Sequence, residues 1–553
     1  MTGLGLTLLV ALAAALVLGS LAHRIGLPPM LGYIVAGIAV GPATPGFVAG
    51  REEVLALADI GVALLMFSIG LQFSLADLRS VGPRILAGTP VQIAITMGIG
   101  TATGLVLGWD LLEALFIGGA VSVCSTVVLV KIAGEGDLHT TSFGRTALGI
   151  SIVQDLVTVV LVVALTALGS RQDESVAGLA ASAGLAIGFV VLVIFGGSRA
   201  LPPLLRFVAG LRSRELFVIA VAVISIGTAF AADAVGVSIA LGAFVAGLAL
   251  TDSDLTASVL GEIVPLRELF STFFFVSIGL LLQPTAVLEA WPVVLALLLI
   301  ITLGKAIPIA ALALIDRQRP SSALRAGALI GQSGEFSFVL ASAGFAIGAV
   351  STETFSLAMG AVVLSILTAE PLHLAARVVG RRLDALTHGR ALPWGEPAVA
   401  LRRHAVILGY GRVGRSVGRM LGSRGFGWVA VDGDYSIARE ARAGGAPLIY
   451  GDAGSPSVLD HARVVDAHAM VVAIPDALAA RQAVMYARLR NPRIEIVARA
   501  HSEAEEADLR RLGVARVVLA EREVGNELIR HALRRFGVSD REVAAILGPR
   551  RGG

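Results

Sequence analysis

One carboxylate lies where water should be scarce. Asp155 falls inside the apolar run Ile150-Ser151-Ile152-Val153-Gln154-Asp155-Leu156-Val157, far from any loop signal. An ionisable group at membrane depth is costly and is a functional-site candidate by default. Desolvation disfavours a bare carboxylate there, so Asp155 could hold a proton and exchange it for a cation. The plainer alternative is a structural aspartate capped by backbone or hydroxyl donors. Gln154 cannot ionise; it could orient its neighbour or coordinate. Lys305, in Leu303-Gly304-Lys305-Ala306-Ile307-Pro308, is the other isolated mid-span charge. It either pairs with Asp155 or snorkels from a helix end. Glu335 follows Gly331-Gln332-Ser333-Gly334, where it could line a cation path or compensate helix ends.

A second chemistry sits near the C-terminus. His404-Ala405-Val406-Ile407-Leu408-Gly409 reads as a buried strand. The run Gly409-Tyr410-Gly411-Arg412-Val413-Gly414 follows and opens an amphipathic helix to about Ser423. The strand Trp428-Val429-Ala430-Val431 then ends at Asp432, 18 residues beyond the last glycine (432 − 414). A strand, a glycine turn, a helix and a downstream acid together form a dinucleotide signature. Gly409, Gly411 and Gly414 permit a tight turn and close phosphate approach, and the helix N-terminus favours the anion. Asp432 would accept hydrogen bonds from a ribose 2′-OH, which disfavours NADP. Further strands at 447–450, 469–474, 494–499 and 516–519, separated by helical patterns, give about six parallel strands.

The elements that must hold these groups follow from composition. The chain has 553 residues, 56% apolar and only 15% charged, with mean hydropathy +0.82. Soluble domains carry roughly a quarter charged residues, so an ordinary cytosolic enzyme, a disordered chain and a secreted disulfide scaffold are excluded. The balance of 44 basic and 41 acidic residues does not suggest nucleic acid as a partner, and the single cysteine, Cys124, rules out an internal disulfide.

Charge is thin up to about Pro371 and dense afterwards. The first part holds apolar runs of about 20 residues, each long enough to cross a bilayer. We read thirteen spans near 4–22, 28–44, 53–71, 85–108, 111–131, 145–169, 175–197, 215–234, 236–251, 263–283, 286–314, 322–347 and 354–379. Alternate loops carry Arg24; Arg79 and Arg84; Lys131 and Arg145; Arg199, Arg206, Arg212 and Arg214; and Arg317, Arg319 and Arg325. Basic loops stay cytoplasmic, which puts the N-terminus outside and the C-terminal region inside a bacterial cytoplasmic membrane. One loop on that side, 251–262, is acidic instead. The boundaries expected are a membrane domain over 1–380, a basic, proline-containing linker over 381–403, a nucleotide domain over 404–537 and a tail over 538–553.

The membrane part repeats. Phe67-Ser68-Ile69-Gly70-Leu71 resembles Val276-Ser277-Ile278-Gly279-Leu280 at an offset of 209 (276 − 67), and the same offset carries Ser125 onto Gly334. Ser122-Val123-Cys124-Ser125-Thr126 and Gly331-Gln332-Ser333-Gly334-Glu335 both interrupt apolar spans with small and polar residues. Paired interruptions in inverted halves point to a transporter's binding site. Half-helix ends carry partial charges of both signs, so crossed breaks would supply cation-coordinating carbonyls. Cys124, at the first break, permits close packing.

These stretches resemble the monovalent cation:proton antiporter-2 family, in its Kef-like and YbaL-like branch. The resemblance rests on Gly32-Tyr33-Ile34-Val35-Ala36-Gly37 with Gly41-Pro42, the run Asp59 to Leu71, Ser125-Thr126, Gln154-Asp155, Phe244 to Asp252 and Phe274 to Gly279. It covers nearly the whole chain, because the C-terminal part resembles a TrkA-N (RCK) domain. It implies a polytopic α-helical sodium–proton-antiporter-like fold with inverted repeats and two crossed discontinuous helices, plus a cytoplasmic Rossmann-type domain. It implies a homodimer, and Asp155 as the cation- and proton-binding carboxylate, with Gln154, Lys305, Ser125, Thr126, Ser333 and Glu335 around the path. Relatives with two adjacent aspartates contrast with Gln154-Asp155 here, the Kef-type pattern, which implies one-for-one exchange and leans toward potassium over sodium. In the TrkA-N family Asp452 and Arg499 would lie near the nucleotide beside Arg412 and Val413; AMP, NAD(H) or ATP/ADP each fit.

The reading is therefore a nucleotide-regulated cation:proton antiporter. A potassium channel gated by an RCK domain would need a filter loop such as T-V-G-Y-G, and no such loop is present in the sequence. A membrane-anchored NAD(H) oxidoreductase would need a substrate domain beyond the single Rossmann unit.

Overall fold

The computed structural model describes residues 4–44, 50–72, 81–133, 141–169, 188–235, 237–251, 253, 255–316, 318, 320–388, 403–500 and 502–547. They form two compact units that divide near Leu383.

The first unit is helical because lipid offers no partner for a free N–H or C=O, so each apolar run must satisfy its own backbone. Its helices are α1 Leu4–Arg24, α2 Pro29–Ala39, α3 Arg51–Gln72, α4 Pro83–Val106, α5 Leu111–Ser122, α6 Thr126–Ala133 and α7 Ser142–Gly169. After α8, Gly188–Gly210, come α9 Arg214–Asp233, α10 Ile239–Leu248, α11 Thr256–Leu281, α12 Trp291–Ile315, α13 Pro320–Ile330, α14 Glu335–Ala346 and α15 Thr352–His388. Among the described residues, ten helices are long and apolar enough to cross a membrane, counting α5 and α6 as one. The remaining stretches of the thirteen are the shorter α2 and α10 and the divided pair α13 and α14.

The repeat is far more extensive than its pentapeptide. Adding 209 to the first residue of each helix from α1 to α7 gives the first residue of its counterpart from α9 to α15 to within one residue. The exception is α3 and α11, which differ by four. Helices α1–α3 pack with α9–α11 as one bundle, and α4–α6 with α12–α14 as another. The repeated Ser-Ile-Gly-Leu is a crossing device. A Cβ on Gly70 would lie 2.2 Å from the Phe244 carbonyl, and one on Gly279 2.0 Å from the Ile34 carbonyl. Small residues let helix backbones approach this closely. The two bundles meet at Phe275 of α11, whose ring stands edge-on to Phe338 of α14 at 5.7 Å.

Several boundaries differ from expectation. The seventh span runs on further than expected, since α8 continues to Gly210 and carries Arg199 and Arg206 on a helix rather than a loop; 170–187 are outside the described residues. In the acidic loop, Asp252 and Asp254 are outside them too, and Glu262 lies in α11, where it takes both Nε and Nη2 of Arg214 at 2.8 and 3.1 Å. The expected linker begins as helix, because α15 runs through 381–388, and 389–402 are not described. The expected tail contains a helix, Asp540–Leu547, with 548–553 outside the described residues.

The second unit is a parallel six-stranded sheet of order β3-β2-β1-β4-β5-β6. Its strands are β1 Ala405–Leu408, β2 Trp428–Asp432, β3 Leu448–Tyr450, β4 Ala469–Val472, β5 Glu495–Ala500 and β6 Arg516–Leu519. Leu408 is flanked by Val431 and Val472, and all three are buried with Val406 and Ile496 in one core. Strand order reverses between β1 and β4, where such sheets open a crevice at the carboxyl edge.

The glycine crossing is testable. Gly279→Ala should destabilise the membrane unit by about 1–3 kcal/mol through overpacking, seen as a lower thermal midpoint in detergent. Gly261→Ala in the same helix, where a Cβ meets nothing within 4 Å, should leave the midpoint unchanged.

Candidate functional site

Both interruptions are real breaks, and they cross. Helix α5 stops at Ser122, Val123 is extended (φ −107°, ψ 156°), and α6 restarts at Thr126. Helix α13 stops at Ile330 and α14 restarts at Glu335 after an extended Gly334. A Cβ on Gly334 would sit 2.0 Å from the Cβ of Ser125. The two residues related by the repeat are thus the two that touch at the crossing.

The freed backbone groups are taken up by side chains. Lys305 of α12, fully buried, donates to the Val123 carbonyl at 2.7 Å, the Gln332 carbonyl at 2.6 Å and Ser333 Oγ at 3.1 Å. These three acceptors match the three hydrogens of an ammonium. Gln332 brackets Ser125, accepting its N–H at 3.2 Å and donating to its carbonyl at 2.8 Å. The N–H of Ser333 donates to Ser365 Oγ of α15 at 3.1 Å. The N–H of Cys124 donates to Gln154 Oε1 at 2.9 Å, and Gln154 Nε2 donates to Gln92 Oε1 of α4 at 2.6 Å. Gln92 closes the set by donating to the Ser122 carbonyl at 3.2 Å.

This arrangement corrects three expectations. The break carbonyls of Val123, Ser125 and Gln332 are engaged by protein donors rather than turned to a cation. Lys305 neither pairs with Asp155 nor snorkels; among the described residues no ion pair joins the two. Gln154 is fully buried and orients the first break instead of facing the path. Ser125 and Ser333 are likewise fully buried, with Ser125 Oγ accepting from the Val128 N–H at 3.3 Å.

A smaller set stands apart from that network. Asp155, Thr126 and Glu335 are each partly accessible. Thr126 Oγ1 lies 3.2 Å from Asp155 Oδ2 and 2.5 Å from Ser151 Oγ. Glu335 interacts electrostatically with Asp155 and with Arg267 of α11 in the other bundle. Thr126 and Glu335 are repeat mates at the two half-helix N-termini. One neutral and one acidic side chain therefore flank a single aspartate. This can hold a proton or a small monovalent cation in turn.

In the soluble unit, Gly409 has φ +91° at the turn after β1. Asp432 accepts from the Tyr410 N–H at 2.6 Å and the Asp434 N–H at 2.8 Å. The acid predicted to meet a ribose thus also fixes the glycine loop, through one oxygen each. Gly414 is packed so closely that a Cβ would lie 1.9 Å from the Gly409 carbonyl, whereas a Cβ on Gly411 would meet only open space. Arg412 and Val413 are exposed at the start of the following helix, Arg412–Ser423. Arg415, one turn in, is held bidentately by Glu440 at 2.9 Å, which keeps that carboxyl below its ordinary range. Asp452 follows β3 and accepts from the Gly454 N–H at 2.9 Å. Arg499 is the penultimate residue of β5 and has a buried Nε without a hydrogen-bond partner among the described residues. All lie along the carboxyl edge of the sheet.

Sequence reasoning gave no role to Gln92 or Gln332. Thr89, Gln92 and Thr96 are all buried and recur at helical spacing in an apolar span, a polar stripe that could have marked α4 as facing the break.

Crossed broken helices beside an intramembrane aspartate, with a Rossmann unit following, define a secondary transporter rather than an enzyme. The sequence signature of "Sodium/hydrogen exchanger, transmembrane" matches residues 9–374, and that of the TrkA-N domain matches residues 405–520. The chain belongs to this exchanger family, in the Kef-like and YbaL-like branch that carries a C-terminal TrkA-N domain, and is a multi-pass membrane protein. YbaL of Escherichia coli, named as a cation/proton antiporter, is 34% identical over 540 residues, covering 95% of this chain and 96% of that protein. KefB of Alkalimonas amylolytica, named as a K(+) efflux antiporter, is 28% identical over 96% of this chain and 81% of its own length. The sodium proton antiporter MjNhaP1 from Methanocaldococcus jannaschii shares the membrane fold over 68% of this chain and 96% of its own, at 15% identity and a TM-score of 0.50.

Lys305→Met should leave the Val123 and Gln332 carbonyls without their ammonium. Each unsatisfied buried group costs about 1–3 kcal/mol, so the thermal midpoint in detergent should fall markedly. An unchanged midpoint would mean that the lysine does not hold the crossing together.

Proposed function

We propose that this cation/proton antiporter exchanges potassium for protons one-for-one at Asp155, under control of a nucleotide bound to its TrkA-N domain. The observation that carries the reading is the accessibility pattern. Asp155, Thr126 and Glu335 are partly exposed, while Gln154, Ser125, Ser333 and Lys305 are fully buried in the crossing. Asp155 carries either H⁺ or M⁺ across while the bundle of α4–α7 and α12–α15 moves against the other. Each cycle then returns the same charge on the carboxylate. The single aspartate of the Gln154-Asp155 pair, where other relatives carry two, supports electroneutral exchange. The names of the Kef-type relatives favour potassium. The arginine pattern supports an orientation with the N-terminus outside and the TrkA-N domain in the cytoplasm of a bacterial inner membrane, and the family resemblance implies a homodimer.

In proteoliposomes read with a pH dye, Asp155→Asn should abolish cation-driven proton movement, and an imposed membrane potential should leave the wild-type rate largely unaltered. Wild-type exchange by the variant would sink the site, and steep voltage dependence the stoichiometry. Running potassium, sodium and lithium in parallel identifies the cation.

The nucleotide reading is supported by the glycine turn, the open face at Gly411 and the unpartnered Arg499 Nε. AMP, NAD(H) and ATP/ADP are the candidates. Regulation requires that the nucleotide bind the transport states with different affinity. Gly411→Ala should weaken nucleotide binding in calorimetry without lowering the thermal midpoint, because only a ligand can meet the added methyl. Unchanged affinity would count against the phosphate-loop assignment.

A further inference from the structure

The structure assigns Gln92 a positioning role in the exchange reaction, acting on the Asp155 site through Gln154 and the first break. Gln92 is 2% exposed and bonds at both ends of its amide. Its Oε1 takes Gln154 Nε2 at 2.6 Å, and its Nε2 donates to the Ser122 carbonyl at 3.2 Å and Thr96 Oγ1 at 3.1 Å. Thr96 in turn donates to the Gly304 carbonyl at 2.8 Å, immediately before Lys305.

The orientation of both amides is forced. The Cys124 N–H can only donate, so Gln154 must present its oxygen there and its NH₂ to Gln92. The Ser122 carbonyl can only accept, so Gln92 must present its oxygen to Gln154. Gln92 thus fixes the last helical carbonyl of α5 and, through Gln154, the N–H two residues further on. Thr126, the donor to Asp155, is the second residue beyond that N–H. The repeat mate of Gln92 is Ile301, so the second break has no such clamp and the arrangement serves the half that carries Asp155.

Removing the clamp leaves Asp155 chemically intact but loosens Thr126. Loss of an outer partner typically weakens ion affinity 10–100-fold. In proteoliposomes, Gln92→Met and Gln154→Met should each raise the apparent KM for the cation about tenfold with little change in kcat. The double variant should lose no more than the worse single one, because both act through one contact. Multiplying losses, or a wild-type KM in Gln92→Met, would overturn the inference. Gln92→Glu covers the case in which Gln92→Met fails to fold. A protonated carboxyl offers one acceptor and one donor, as the amide does, while the ionised form cannot donate. Its KM relative to wild type should approach one at acidic pH; a KM elevated equally at every pH would overturn the assignment. The inference rests on Asp155 as the exchange site. Wild-type exchange by Asp155→Asn sinks that reading, whereas a silent Asp155→Asn beside unaltered Gln92 variants sinks only the role of Gln92.

Discussion

A broken helix inside a bilayer must find partners for its own backbone, and this requirement organises the membrane unit. Water is absent from the hydrocarbon, so carbonyls and N–H groups freed at 123–125 and 331–334 have to be satisfied by protein. The chain meets the requirement with four long polar side chains, Lys305, Gln332, Gln154 and Gln92, drawn from α12, the second break, α7 and α4. Helix α15 adds Ser365. The crossing is therefore the point where all six spans of one bundle are tied together. Shifting any one of them disturbs donors and acceptors that have no alternative partner.

That accounting also decides where an ion can sit. Crossed half-helices offer dipole ends of both signs, but engaged carbonyls are poor ligands. With Val123, Ser125 and Gln332 committed to protein donors, the partly exposed residues beside the crossing are Asp155, Thr126 and Glu335. Compensation of the helix ends and binding of the ion are divided between separate residues. Lys305 performs the first task, its ammonium donating to Val123, Gln332 and Ser333.

The fold was legible because its signals are repeated. Apolar run lengths marked the thirteen spans, and an offset read from five residues proved to order the starts of fourteen helices. Gly409-x-Gly411-x-x-Gly414 in its strand–helix context marked the nucleotide edge. The chemistry at the crossing was less legible, for a physical reason. Mid-span position reveals that a polar residue matters but not what it touches, and contacts between α4, α5 and α7 are set by packing that no local pattern encodes. Lys305 was thus singled out correctly and given the wrong partners. Gln92, neutral and set among apolar neighbours, was not singled out at all. Asp432 was read as a ribose ligand, while its grip on the Tyr410 N–H depends on a turn geometry visible only when folded.

The repeat is symmetric in scaffold and asymmetric in chemistry. Ser125 and Gly334 are mates and touch; Thr126 and Glu335 are mates and flank the same carboxylate. Yet the mate of Asp155 is Leu364, that of Gln154 is Val363, and that of Lys305 is Thr96. Two halves of like backbone can exchange conformations about their pseudo-symmetry axis, which gives a transporter two related end states with one set of parts. Had the aspartate been duplicated as well, a second one would stand at Leu364. Restricting the aspartate to one half leaves the two halves alike in scaffold and unlike in the groups that flank the crossing. The first half alone carries the Gln92–Gln154 clamp, and in that half the break leads through Thr126 to Asp155.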